Sequence, residues 1–177
     1  VRPRDIGLLE AHGTGTKAGD AAEFEALDLV FREDSQDPAW CALGSVKSQI
    51  GHTKAAAGAA GLTKASLALH HKVILPTLKV DAPNPSLKID ASAFALSTTA
   101  RPWLSPAGVP RRAAVSSFGF GGSNFHLVLQ EHGAKKPAPA WDGSVELVAF
   151  SAPDAATLAA RVREAASKPV ADVAAAS

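Results

Sequence analysis

A single cysteine, Cys41, stands in the whole 177-residue chain. One thiol closes no disulfide framework and builds no cysteine-based metal site, so a reducing cytoplasmic setting is the default. A surplus of charge is equally lacking: 18 Lys and Arg against 17 Asp and Glu leave a formal net charge of +1. That balance gives no electrostatic footing on nucleic acid or an acidic membrane surface, and neither is expected as a partner. No apolar run reaches the roughly 20 residues that a bilayer-spanning helix needs, and the best candidate is interrupted by Lys54 and Lys64. The chain opens on Val1 and Arg2 with no signal-like apolar segment, which gives the expectation of a piece cut from a longer polypeptide. Internal repeats are also missing.

What is there is a globular composition, 46% hydrophobic and 20% charged, sufficient for one domain of ordinary size and some extra. The chain is organised around residues 44–71, GSVKSQIGHTKAAAGAAGLTKASLALHH. This stretch reads as a strand end at 42–46, a short loop holding Lys47 and His52, and a long helix with small or apolar residues on nearly every face. Such a helix belongs in the middle of a larger protein, with Gly58, Gly61 and Ala65 letting neighbouring backbones come close. Thr53 is placed to cap it, which sets His52 beside the positive end of the helix dipole and biases its imidazole towards the neutral form. A neutral histidine there can donate to a developing oxyanion or take up a proton. On these residues alone the plainer alternative stands beside it, in which His52 only satisfies backbone groups and Lys47 is a solvated cation.

Upstream, residues 6–10, IGLLE, suit a buried strand that leads into Ala11-His12-Gly13-Thr14-Gly15-Thr16. Two glycines flanked by threonines make a tight loop holding a histidine at a strand end, a common place for site residues. A phosphate-binding loop fails, because the run from Gly13 to Gly19 lacks the GxxxxGK(S/T) spacing. Asp20 is then placed to cap a helix through about Arg32, with Glu23 at the capping-box position and Phe24, Leu27, Val30 and Phe31 as its apolar stripe. A polar turn over 33–39 and a strand over 40–46 follow. Cys41 lies inside that strand with no base nearby in sequence and reads as a buried structural thiol.

Beyond the long helix, residues 73–80 read as a strand whose Pro76 implies a sheet edge or an irregular connection. A turn-rich loop at 81–85, a short strand at 94–98 and a loop over 101–110 come next. Residues 113–117 and 125–131 read as strands joined by the turn Phe118-Gly119-Phe120-Gly121-Gly122-Ser123-Asn124, which can bring backbone N–H groups close to a ligand. It is no dinucleotide loop, since GxGxxG would require glycine at 124 and no helix pattern follows. Residues 132–143, with Lys135, Lys136, Pro137 and Pro139, mark a linker. A strand over 145–151 and a helix opened by Ser151 and Asp154, with Leu158, Ala159 and Val162 apolar, begin a further module at 144–177.

Three motifs in this order, EAHGTGT at 10–16, GSVKSQIGH at 44–52 and SSFGFGGSNFH at 116–126, make residues 1–131 resemble the C-terminal half of a β-ketoacyl synthase. The longer runs ALGSVKSQIGHTKAAAGAAGL and PRRAAVSSFGFGGSNFHLVLQEH are similar to those of type I megasynthases, polyunsaturated fatty acid synthases first and modular polyketide synthases close behind. Residues after 131 resemble the linker that joins such a ketosynthase to an acyltransferase. The resemblance implies a thiolase-like α/β fold of two similar halves, each with a mixed sheet among helices and the active site between them. This chain would supply the second half.

The reaction implied is decarboxylative Claisen condensation, in which an acyl group on an active-site cysteine is attacked by the carbanion from a malonyl thioester on acyl carrier protein. No cofactor is implied in the domain itself, and substrates arrive as phosphopantetheine thioesters. The implied partners are the N-terminal half of the same ketosynthase, acyl carrier protein, the adjacent acyltransferase domain and a second copy in a homodimer. By motif match His12 and His52 are the two catalytic histidines, Lys47 is the family's lysine, and Thr14 and Thr16 stand on the substrate-adjacent loop. Phe120 matches the gating phenylalanine and, with Gly119 and Gly121, the oxyanion-hole loop. The nucleophilic cysteine belongs to the family's first half, and Cys41 does not stand in its motif. The chain alone is therefore expected to be inactive. A non-condensing ketosynthase, kept as dimer scaffold or acyl gate, is the open alternative.

Overall fold

Short apolar strands hidden on both faces call for a parallel sheet with helices on each side, and the computed structural model of the chain is built this way. It describes residues 1–80, 82–106, 108–133 and 148–168. The chain divides into two units, Val1–Gly133 and Ala134–Ser177. In chain order the first unit runs β1 (Leu8–Glu10), α1 (Lys17–Arg32), β2 (Cys41–Gly44), α2 (Lys47–Ile50), α3 (Ala57–His71), β3 (Val73–Ile74), β4 (Phe94–Leu96), β5 (Arg101–Pro102), β6 (Arg112–Phe118) and β7 (Asn124–Gln130). The main sheet has the order β4-β2-β1-β6-β7, with β3 and β5 forming a small separate pair. β1 is parallel to both β2 and β6, β2 is parallel to β4, and β7 runs antiparallel to β6 after the glycine-rich turn.

Alternation along the strands splits the core in two. Leu9, Cys41, Phe94 and Ala114 face α1, where Phe24 and Phe31 meet them. Leu8, Ala42, Ala113 and Val115 face α3 and pack on Ala65, Ala68 and Leu69, with Ile74 and Trp103 closing that side. On the α1 side the ring centroids of Phe31 and Phe94 are 4.8 Å apart and those of Phe24 and Phe94 5.8 Å; such pairs contribute about 0.5–1.5 kcal/mol each beyond their burial. On the α3 side a Cβ at Gly61 would sit 3.2 Å from Glu10 Cγ and 3.3 Å from Val115 Cγ1. Glycine at that point lets the helix lie directly on β1 and β6.

α1 starts at Lys17 with Thr16 as N-cap, so Asp20 lies inside the first turn, where its Oδ1 accepts the Gly15 N–H at 3.2 Å. Glu23 forms no capping box and turns to the loop after β1. Val30 is exposed, because α1 covers the sheet through Phe24 and Phe31, with Leu27 packed partly buried beside them. The expected Lys47 loop contains the single-turn α2. Thr53 heads a 3-10 turn at Lys54–Ala56, and α3 begins only at Ala57, with Ala56 as its N-cap. α3 is buried on one face, through Ala57, Gly61, Lys64, Ala65, Ala68 and Leu69, since this unit offers it one sheet to lie on. The strand expected over 73–80 stops at Ile74, shortly before Pro76, which has no N–H to donate. Arg101 and Pro102, expected in a loop, pair with it.

In the second unit, α4 (Ala155–Ala166) is capped by Asp154 itself, whose carboxylate accepts the Thr157 N–H at 2.8 Å. Ser151 is not the cap; its carbonyl accepts from Arg161. Residues 148–151 form no strand. The rest of the strand expected at 145–151, the linker residues 134–143 and the alanine-rich end lie outside the described residues.

Apolar side chains remain open on the α3 side of the first unit: Leu67 is 50% exposed, Phe125 65% and Leu127 48%. Residues 1–133 produced alone should therefore bind a hydrophobic dye strongly and self-associate at micromolar concentration. A monodisperse monomer that melts cooperatively and leaves the dye dark would contradict this.

Candidate functional site

Parallel pairing places the carboxyl ends of β1, β2 and β6 on one edge of the sheet, with Glu10 level with Gly44 on one side and Val115 on the other. Open α/β sheets bind ligands beyond that edge. The chain emerging from β1 carries His12, that from β2 carries Lys47 and then His52, and β6 ends at Phe118.

His12 is held by its own backbone. Its N–H donates to Glu23 Oε1 at 2.8 Å, and the Gly13 N–H donates to Oε2 of the same carboxylate at 2.9 Å. Gly13 has φ +41, and a Cβ there would come within 2.7 Å of Ser45 Cβ. Only glycine lets this loop press against the end of β2, where Ser45 Oγ donates to the Gly13 carbonyl at 3.0 Å. The His12 ring meets His52 edge-on, centroids 5.6 Å apart at 83°, and tilts against Phe118 at 5.3 Å.

Both imidazoles are bound at the same nitrogen. Nδ1 of His12 accepts the Phe118 N–H at 3.2 Å, and Nδ1 of His52 accepts the Lys54 N–H at 3.1 Å. A backbone N–H can only donate, so each neutral ring carries its proton on Nε2. His52 lies ahead of the 3-10 turn and outside the first turn of α3, where the helix dipole has faded. The Lys54 N–H, not the dipole, orients it.

Burial holds the His12 imidazole below its ordinary value, and the Lys47 cation and the neighbouring His52 ring act in the same direction against a weaker pull from Asp20. Burial also lowers the Lys47 ammonium, with the Glu10 and Glu23 carboxylates opposing. Glu23 is raised by burial, offset by the N–H groups of Gly13 and His12. The result at neutral pH is an uncharged His12 beside a half-buried cation and a carboxyl occupied by backbone donors.

Lys47, Thr14 and Thr16 line a cavity of about 530 Å³ together with Glu23, Ser45 and Asn84; the two threonine hydroxyls are 3.2 Å apart. Phe120 stands fully in solvent. The Gly119 N–H is donated to the Ser123 carbonyl at 2.9 Å, closing the turn, and Gly121 has φ +85. The structure thus joins His12, His52 and Phe118, sets Lys47, Thr14 and Thr16 on one cavity wall, and leaves Phe120 outside both groups. Three features escape the sequence reading: Phe118, the Glu23 clamp, and a buried ion pair between Glu10 and Lys64 at 2.7 Å. The signal for the last is a lone acid in an apolar strand and a lone lysine in an apolar helix, since buried charges occur in pairs.

Residues 1–81 match the family model described as beta-ketoacyl synthase, C-terminal domain, and residues 83–176 match ketoacyl-synthetase C-terminal extension. Polyketide synthase PksL of Bacillus subtilis (strain 168) is 47% identical over 136 residues, which is 77% of this chain and 3% of that protein. One chain of the polyunsaturated fatty acid synthase of a Thraustochytrium species is 48% identical over 139 residues, 74% of this chain and 5% of that protein. Among solved structures, the ketosynthase from module 6 of the bacillaene synthase from Bacillus subtilis 168 matches with a TM-score of 0.72 at 48% identity, covering 74% of this chain and 23% of that one. The oxazolomycin ketosynthase domain OzmH KS7 of Streptomyces albus JA3453 matches with a TM-score of 0.71 at 39% identity, covering 94% of this chain and 30% of that one. The chain spans only a small part of each of these proteins.

The charge balance around His12 is testable. Lys47→Met should raise the midpoint of the His12 titration, followed by NMR of the ring C–H groups, because a nearby cation has gone. The midpoint should still lie below that of an exposed histidine, because burial persists. An unchanged or lowered midpoint would show that Lys47 does not act on His12.

Proposed function

Because the chain belongs to the β-ketoacyl synthase family, we propose that it forms the C-terminal half of a condensing ketosynthase working in the cytoplasm on polyketide or polyunsaturated fatty acid chains. The reaction is decarboxylative Claisen condensation. The malonyl thioester on acyl carrier protein loses carbon dioxide, the electron pair of the broken C–C bond passes into an enolate, and the enolate carbon attacks the carbonyl of an acyl thioester on cysteine. The cysteine thiolate leaves, and a β-ketoacyl thioester remains on the carrier.

The observation that carries this reading is the pair of imidazoles with both Nδ1 atoms occupied by backbone N–H groups. Nε2–H donors on two rings whose centroids lie 5.6 Å apart suit the thioester oxygen on which enolate charge develops. Donors fixed in advance stabilise that charge without reorganisation. Lys47 adds a positive charge that keeps His12 neutral and therefore able to donate. Thr14 and Thr16 offer hydroxyls where the phosphopantetheine arm enters. Phe120, on its glycine hinge, gates the acyl chain, and the backbone of its loop contributes to the oxyanion hole. The attacking thiol comes from the N-terminal half of the same ketosynthase. Cys41 cannot serve, being fully buried with its thiol pushed far above the ordinary range. Acyl carrier protein, an adjacent acyltransferase domain and a second copy complete the assembly, and the chain alone does not condense.

In the intact ketosynthase, His12→Ala and His52→Ala should each cut carbon dioxide release about 100-fold to 1,000-fold, the usual cost of one oxyanion donor. Loading of radiolabelled acyl groups onto the cysteine should be largely kept, because that step forms no enolate. Phe120→Ala should instead alter the chain lengths accepted. Carbon dioxide release and elongation at the parent rate by His12→Ala would overturn the assignment and favour a non-condensing scaffold.

A further inference from the structure

The Glu10–Lys64 pair takes no direct part in the chemistry above, yet it is among the most deeply buried charged groups in the first unit, with side chains 2% and 8% exposed. Stability alone gives no reason for it. Replacing a buried ion pair by apolar residues of similar volume is often neutral or stabilising, whereas removing one partner leaves a costly unpaired charge.

What the pair holds gives a better reason. Glu10 Oε2 accepts from Lys64 Nζ at 2.7 Å, and Oε1 of the same carboxylate accepts the Val46 N–H. His12 lies two residues past Glu10, Lys47 follows Val46 directly, and Lys64 belongs to the helix that the His52 segment leads into. One carboxylate therefore ties together the three segments that carry His12, Lys47 and His52. The surroundings are cleared for it. A Cβ at Gly44 would come within 3.3 Å of Lys64 Nζ and 2.8 Å of Thr77 Oγ1, and one at Gly61 within 3.2 Å of Glu10 Cγ.

We propose that Glu10, clamped by Lys64, is a positioning residue for the condensation: its second oxygen holds the Val46–Lys47 turn in register with His12. The proposal rests on the ketosynthase reading above. It assigns the essential work to the acceptor that Glu10 offers Val46, while Lys64 fixes where that acceptor sits.

The test uses the intact ketosynthase and two double variants with no buried unpaired charge. Glu10→Leu/Lys64→Met removes the acceptor, and Glu10→Gln/Lys64→Met keeps one. Both should melt near the parent temperature and acylate the cysteine within about threefold of it, but the leucine variant should lose about 100-fold in kcat for carbon dioxide release with KM for the malonyl carrier little changed, as expected for misplacement by about 1 Å. The glutamine variant should recover most of that loss. A role in packing alone would treat the two alike, and release by the leucine variant close to that of the glutamine variant would overturn the proposal. Should the leucine variant fail to fold, Glu10→Asp decides. It keeps the charge and Lys64 but draws the carboxylate back by one methylene, and it should lose release while keeping acylation; parental release would again overturn the proposal. A parent enzyme that releases no carbon dioxide at all would instead sink the ketosynthase reading, and this role with it.

Discussion

The parallel pairing of β1 with β2 on one side and β6 on the other is the constraint from which the rest follows. Leu8, Leu9 and Glu10 stand opposite Ala42, Leu43 and Gly44, and also opposite Ala113, Ala114 and Val115. Three segments distant in sequence thereby run side by side to one edge of the sheet, and the loops that leave them share that edge. Strand alternation makes the register strict, because a slip of one residue moves every side chain to the other face. Such a slip in β1 would carry Glu10 to the α1 side, away from Lys64 and Val46, and would set Leu9 among the small residues that α3 needs.

Electrostatics at that edge is arranged largely by the backbone. Each histidine accepts a main-chain N–H at Nδ1, and Glu23 spends both carboxylate oxygens on main-chain donors. Groups bound in this way are oriented by the fold and not by one another, so a change of charge on one need not turn its neighbour. Lys47 can then lower His12 through space without competing for its hydrogen bonds. An imidazole that stays neutral and keeps its proton on Nε2 is a fixed donor, which is what stabilising a short-lived enolate demands.

Much of this was legible in the sequence, and for identifiable reasons. The apolar run at 6–10 appears as β1 because a strand buried on both faces carries a continuous apolar signal, and 113–117 appears as β6 because the glycine-rich turn after it marks the end of a strand. His12 and His52 stand out because each follows a strand end in a loop of small residues. Other features depend on contacts that no local pattern encodes. α3 starts three residues after Lys54, a lysine at φ +54, a conformation that no propensity rule assigns to lysine. Glu23 sits at capping-box spacing from Asp20, so its real partners across the loop were hidden behind a plausible local one. The two-residue β3 and β5 pair only with each other, across an intervening strand. Phe118 and Phe120 flank the same glycine, and nothing in their spacing tells which ring meets His12. Glu10 and Lys64 were each visible as a charge out of place, but linking them required knowing that α3 lies on β1.

The condensing role proposed for this site requires that the two imidazoles share it and that each presents an Nε2–H. Long-range proton–nitrogen correlation spectra of the intact protein, with side-chain nitrogens labelled and histidines assigned by substitution, test it directly. Recorded well above the ordinary imidazole pKa of about 6.5, both His12 and His52 should give the pattern of the Nε2–H tautomer, with Nδ1 shifted as an acceptor. An Nδ1–H pattern at either residue, or equal mixing of the two tautomers at both, would mean that the backbone does not hold the rings as described and that the paired-donor account is wrong.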